Sequence, residues 1–133
     1  MTFNQAEIDY LASQRLGRLA TTQPDGTLQV SPVGFLYDPE LGVIDIGGYN
    51  MAASRKYRNV ADNGRVAFVV DDVVSVQPWR VRCLEIRGTG EAIGASESSG
   101  AIIRIHPRRI ISFGLENADV DPHLLTPSKR NVG

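Results

Sequence analysis

The chain has 133 residues, 42% of them hydrophobic, with a formal net charge of −1 and a pI near 6.1. This suffices for one domain with a full core and supplies no global basic field, so nucleic acid is excluded as the main partner. No apolar run reaches the roughly 18 residues of a membrane helix, residues 1–7 are unlike a secretion signal, and Cys83 is the sole cysteine, so a cytoplasmic protein without disulfides is expected.

Thr2 with Gln5, and Asn4 with Glu7, have capping-box spacing and predict a first helix that ends near residues 13–15. Ile8, Leu11 and Ala12 form its expected apolar stripe. Residues 16–22 read as a strand, Gln23-Pro24-Asp25-Gly26 as a turn, and 28–37 as the return strand of a hairpin. A second turn at 38–42 leads to a strand at 43–46, which predicts a three-stranded meander.

Asn50 reads as the N-cap of a second helix, which ends near 61–64 with Gly64 or Asn63 in the left-handed position. Its first two turns carry Arg55, Lys56 and Arg58 and no acid. Cations near a helix N-terminus oppose the macrodipole by about 0.3–1 kcal/mol each. Two readings follow. The three form an ordinary solvated basic face, or they surround an anion such as a phosphate, helped by free backbone N–H groups and the Ser54 hydroxyl.

Residues 65–71 form the next predicted strand and 72–79 a loop broken by Pro78. A long strand over 81–93 contains Gly88 and Gly90, where a bulge or barrel corner is expected. Residues 94–100 are a flexible link, 102–105 and 108–113 the last strand or strand pair around Pro107, and 115–133 an extended or disordered tail beyond a domain of 1–114. Arg80, Arg82 and Arg87 are read as a stripe that meets an anionic ligand or pairs with neighbouring acids such as Glu85 and Glu91. His106 and His123 stand apart from other metal-ligand types, so no metal site is expected. The predicted class is mainly β: six to seven antiparallel strands and two short helices, closed into a small barrel to avoid open edges. Such a barrel is filled by side chains, so a ligand binds outside it, in a crevice walled by a second copy.

The segments Gly17-Arg18-Leu19-Ala20-Thr21, Gln23-Pro24-Asp25-Gly26, Val30-Ser31-Pro32-Val33-Gly34, Ser54-Arg55-Lys56-Tyr57-Arg58-Asn59 and Arg65-Val66-Ala67-Phe68 resemble the pyridoxamine-phosphate-oxidase-like split β-barrels. Ile103-Arg104-Ile105-His106-Pro107-Arg108-Arg109 with Ser112-Phe113-Gly114 is similar to their actinobacterial deazaflavin-dependent branch. The resemblance spans about residues 6–116. It implies a homodimer that binds coenzyme F420, or alternatively FMN, between subunits. By the same resemblance Arg55 and Lys56 match the phosphate-binding pair, with Ser54 as a hydroxyl donor beside them. Ser31, Pro32 and Val33 match the strand beside the flavin-like ring, and Trp79 and Arg80 match a contact sent across from the other subunit.

The activity implied is hydride transfer between the deazaflavin and a small conjugated substrate, with the organic chemistry supplied by the cofactor. No catalytic side chain is assigned; Tyr49 and Tyr57 are possible proton donors better explained by packing. A non-catalytic F420 carrier and an interaction module without cofactor are the readings from other classes. Many relatives place a helix where 94–100 is a short link, so the substrate does not transfer by analogy.

Overall fold

The computed structural model describes residues 2–97 and 99–133. The chain runs α1 (Gln5–Ser13), β1 (Leu16–Thr22), β2 (Leu28–Gly34), β3 (Leu36–Asp38), β4 (Val43–Ile46), α2 (Arg55–Asn63), β5 (Arg65–Ser75), β6 (Arg80–Ile93), β7 (Ile102–Phe113) and β8 (Ser128–Asn131). Short 3-10 turns lie at Met51–Ala53 and Pro122–Leu124. Among the described residues no helix is long and apolar enough to cross a membrane.

The strands form one antiparallel sheet in the order β2-β1-β5-β6-β7-β4-β3, with β8 added on β7. The two ends of this path, β2 and β3, are separated in the chain only by Phe35. The sheet therefore closes covalently into a split barrel, and the split falls where the segment leaves β1 and joins β4. This corrects the predicted meander: the return strand divides at Phe35, and β4 pairs with β7 as well as β3. Alternation along the strands turns Leu19, Phe68, Val70, Leu84, Ile86, Ile103, Ile105 and Ile110 into a closed core, each worth about 1.5–3 kcal/mol on burial. Phe68 meets Phe35 edge-on with ring centroids 5.3 Å apart, so the core is packed at the closure itself.

The expected irregularity at Gly88 is present, as a register shift between Arg87 and Gly88 against β7. Gly88 lies opposite Pro107, and a Cβ there would stand 2.1 Å from the His106 carbonyl oxygen, so only glycine fits. Pro107 is accommodated beside this shift, which is why β7 is a single strand across it. β5 runs to Ser75, further than the predicted end at residue 71, because Val73 pairs with Val81 and Asp72 has partners of its own. The predicted loop shrinks to 76–79. Residues 94–97 and 99–101 have neither helix nor strand, and Ser98 of that link lies outside the described residues. The tail, expected extended or disordered, returns to the sheet: β8 supplies an eighth strand, with Arg130 opposite Ile110.

Helix α1 has the Asn4–Glu7 capping box, with both hydrogen bonds at 2.9 Å. Its buried side is Glu7, Tyr10 and Leu11; of the predicted stripe Leu11 is buried and Ile8 packs against the core, while Ala12 is exposed. Polar residues face inward because the sheet answers them. The Tyr10 hydroxyl donates to Asp72 at 2.7 Å, and Arg82 donates to the same carboxylate at 3.0 and 2.7 Å with its guanidinium 4.9 Å from the Tyr10 ring centroid. The hydrogen bond from Arg82, aided by that from Tyr10, holds the Asp72 carboxyl below its ordinary 3.8. A depressed acid stabilises the fold above its unfolded value, and the contribution disappears as pH falls through the folded value. Asp72→Asn is accordingly expected to cost about 1.5 kcal/mol at pH 7 and at pH 5. The gap from wild type should close below about pH 3.8. Urea unfolding at pH 7, 5 and 3 checks this; an undiminished gap at pH 3 would remove the ion pair from the explanation.

Candidate functional site

Helix α2 starts later than Asn50 implies. Asn50 adopts a left-handed backbone (φ 52°, ψ 41°), caps nothing with its side chain and precedes the 3-10 turn. An N-cap needs extended backbone, which Ser54 has (φ −76°, ψ 152°). The Ser54 Oγ accepts from the Tyr57 N–H at 3.2 Å and donates to the Met51 carbonyl at 2.7 Å. Its proton is thus engaged, and Ser54 serves as the cap instead of the expected free hydroxyl donor. Gly64 closes the helix at φ 68°.

Arg55 and Lys56 become the first two helical residues, whose N–H groups lack intrahelical acceptors. Six other arginines (18, 80, 82, 87, 104 and 130) pair with carboxylates. Among the described residues Arg55, Lys56 and Arg58 form no ion pair, so the helix begins with three cations that no carboxylate contacts.

Strand β2 lies alongside. Ser31 and Val33 face inward, while Pro32 faces outward opposite Arg18. The Ser31 Oγ is buried without a hydrogen-bond partner. Ser31 and α2 share one side of the sheet: Asn59 on α2 donates to Thr21 Oγ1 and to Gln29 Oε1, both at 3.1 Å, and Gln29 is two residues from Ser31 on the same face of β2. Asn63 adds a bond of 2.7 Å to the Thr22 carbonyl. The Asp25 carboxyl in the β1–β2 turn is lowered chiefly by hydrogen bonds from Thr27, with a smaller contribution from the Arg55 charge, which puts Arg55 within electrostatic reach of the hairpin. The outer face of β2 is apolar and bare: Leu28 is 78% and Val30 66% exposed, beside a depression of about 270 Å³ floored by Ala20, Ala67 and Val69.

The sequence profile of pyridoxamine 5'-phosphate oxidase matches residues 4–119. The chain belongs to that family. A 5a,11a-dehydrotetracycline/5a,11a-dehydrooxytetracycline reductase of Streptomyces rimosus is 49% identical over a 122-residue alignment that covers 87% of this chain and 86% of the relative. Among solved structures, an F420 reductase superposes with a TM-score of 0.53 at 28% identity, covering 70% of this chain and 86% of its own. A conserved hypothetical protein of Mycobacterium tuberculosis superposes at 0.68 with 24% identity, covering 83% and 84%, and supports the fold alone. The expected split barrel of this family is therefore the fold, and the oxidoreductase class agrees with a relative that is a named reductase.

Within this family member, one chain does not bring every predicted site residue together. Arg55, Lys56 and Arg58 lie on α2, which Asn59 ties to Gln29 on the face of β2 that also bears Ser31. Trp79 and Arg80 lie at the far tip of the β5–β6 hairpin, ten residues along β5 from the α2 end, or about 33 Å of strand. Trp79 is 52% exposed, and Arg80 pairs with Asp121 in the tail. Of the two readings of the arginine stripe, pairing with neighbouring acids holds for Arg87, which pairs with Glu85, while Arg82 pairs with Asp72. The single stripe is corrected, because the alternation of β6 puts Arg87 on the face opposite Arg80 and Arg82. Tyr49 is fully exposed, and Tyr57 packs against the core. Burial pushes the Cys83 thiol up to about 11, away from nucleophilic chemistry. Thr21, Gln29 and Asn59 escaped the sequence reading. Their signal was there: Thr21 and Gln29 are polar at inward positions of their strands, which calls for a polar partner on the packing helix.

Proposed function

We propose that this chain is a coenzyme F420-dependent reductase acting on a conjugated, electron-poor carbon–carbon double bond in a small polycyclic substrate of the dehydrotetracycline kind. The observation that carries this reading is the cationic start of α2, free of ion pairs, on a helix tied by Asn59 to the β2 face that bears Ser31. One ligand with an anion at one end and a hydrogen-bonding ring at the other would satisfy both. The reductase relative at 49% identity and the F420 reductase fold support the chemistry.

Arg55 and Lys56, with their backbone N–H groups, hold the cofactor phosphate, and Arg58 adds charge from the next turn. The β2 backbone at Ser31 would read the ring edge, and Val33 and Pro32 would shape the strand beside it. When bound, the deazaflavin supplies the hydride. The chain's own part is to fix the ring, shield one face and leave the other open to the substrate, because holding two reactants in contact supplies much of the rate. We place this site in a homodimer. The bare β2 edge with Leu28 and Val30 exposed needs a cover, and a second copy would bring Trp79 and Arg80 to the crevice. A reducing cytoplasm suits the lone Cys83.

Fluorescence titration of the purified protein with F420 and with FMN tests this. F420 is expected to bind in the micromolar range or tighter and FMN at least tenfold more weakly. Tighter FMN binding would transfer the reading to a flavin enzyme, binding without turnover of a dehydrotetracycline-type acceptor would make the protein a carrier, and binding of neither would end it.

A further inference from the structure

We infer that Asn59 is a positioning residue: its hydrogen bonds to Thr21 and Gln29 set the cationic start of α2 at a fixed place relative to Ser31 on β2. The inference rests on the reading above, in which those two regions hold opposite ends of one ligand.

Asn59 is only 1% exposed, an unusual setting for an amide, and both of its N–H groups are used. They donate to two adjacent strands at once, since Thr21 and Gln29 are register partners of β1 and β2. The neighbouring Val60, 3% exposed, also holds α2 on the barrel, but apolar contact is non-directional and permits a helix to slide or roll. A planar amide bonded to two fixed acceptors permits neither. Asn59 stands one turn from Arg55 and from Lys56, so its position determines theirs. At the other end Gln29 and Ser31 are neighbours along one face of β2, about 6.6 Å apart by strand rise. The helix and the strand are thus linked through the buried Asn59 and Thr21 and the half-buried Gln29.

Two further facts fit a device kept for function. The Asn59 Oδ1 is itself buried without a partner, as is the Ser31 Oγ. An apolar residue at position 59 would remove the orphan Oδ1 but leave the buried Thr21 hydroxyl without its donor.

The test compares Asn59→Ala with Val60→Ala, and Thr21→Val with Thr21→Ser, below their melting temperatures. Asn59→Ala should weaken F420 binding at least tenfold by fluorescence titration. Val60→Ala, with a similar fall in Tm, should stay within twofold of wild type. Thr21→Val, an isostere that keeps the packing and loses the acceptor, should weaken binding about threefold to tenfold, and Thr21→Ser should restore it. Inorganic phosphate, which needs only the anion seat, should raise the Tm of Asn59→Ala and of wild type alike. Wild-type F420 affinity in Asn59→Ala, or equal losses in Asn59→Ala and Val60→Ala, would overturn the positioning role while leaving the proposed function intact. Failure of the wild-type protein itself to bind F420 or FMN would bring down both.

Discussion

Replacing Arg55 and Lys56 together by alanine is expected to weaken F420 binding at least a hundredfold while leaving the Tm of the free protein unchanged or raised. The two halves of this result have different causes. Hydrogen bonds to a charged group contribute about 1.5–3 kcal/mol each, so losing two costs about 3–6 kcal/mol of binding, or a hundredfold and more. In the free protein the same two cations oppose the helix dipole, and their removal returns about 0.6–2 kcal/mol to the fold. Neither side chain has an ion-pair partner among the described residues, and the exposed Asp25 carboxylate offsets the Arg55 charge only in small part. Lys56→Ala alone should lose about tenfold. Titration and a melting curve on each variant check both halves at low ionic strength, where the electrostatic term is least screened. A solvated basic face predicts the same rise in Tm with cofactor affinity retained, and that combination would end the phosphate seat.

The parts of this site that were legible in the sequence are those written in local chemistry. The Asn4–Glu7 box, the Pro24-Asp25-Gly26 turn and the Gly64 stop each act within a few residues, so spacing alone determines them. The α2 cations were legible for the same reason, as a run of one sign with no acid at helical spacing. The start of that helix was not. Asn50 and Ser54 are both good N-caps by residue type, and only the left-handed backbone at Asn50 decides between them. Phe35, where the long strand divides, carries no turn residue; the division comes from barrel closure and from its packing on Phe68. Most hidden were the long-range polar partners. Asn59 with Gln29, Tyr10 with Asp72 and Glu7 with Arg130 are polar residues on faces where a period-based reading expects apolar ones. Each is separated from its partner by 30 residues or more. In the tail, expected to be extended or disordered, composition gave no sign of β8, which exists because β7 and Glu7 give it partners.

That last partnership carries the largest expected effect on stability: Arg130→Met should cost about 3–5 kcal/mol. Glu7 is fully buried on α1, and Arg130 on β8 donates to its carboxylate at 2.8 and 2.6 Å and to the Thr2 carbonyl at 2.7 Å. Removing the guanidinium leaves a buried carboxylate with only the Asn4 N–H of the capping box, and an uncompensated buried charge is what makes such losses large. Against a total stability of about 5–15 kcal/mol this is a large share. The double variant Glu7→Gln/Arg130→Met removes the charge as well as its partner and keeps an acceptor for Asn4, so it should recover most of the loss. Urea unfolding of wild type, Glu7→Gln, Arg130→Met and the double variant gives the coupling directly. The same experiment asks whether the tail belongs to the fold, because ending the chain at residue 127 removes Arg130 with β8 and should match Arg130→Met or exceed it. A cost below about 1 kcal/mol for Arg130→Met, typical of an exposed pair, would mean that Glu7 finds water when its partner leaves and that β8 is held by its strand hydrogen bonds alone.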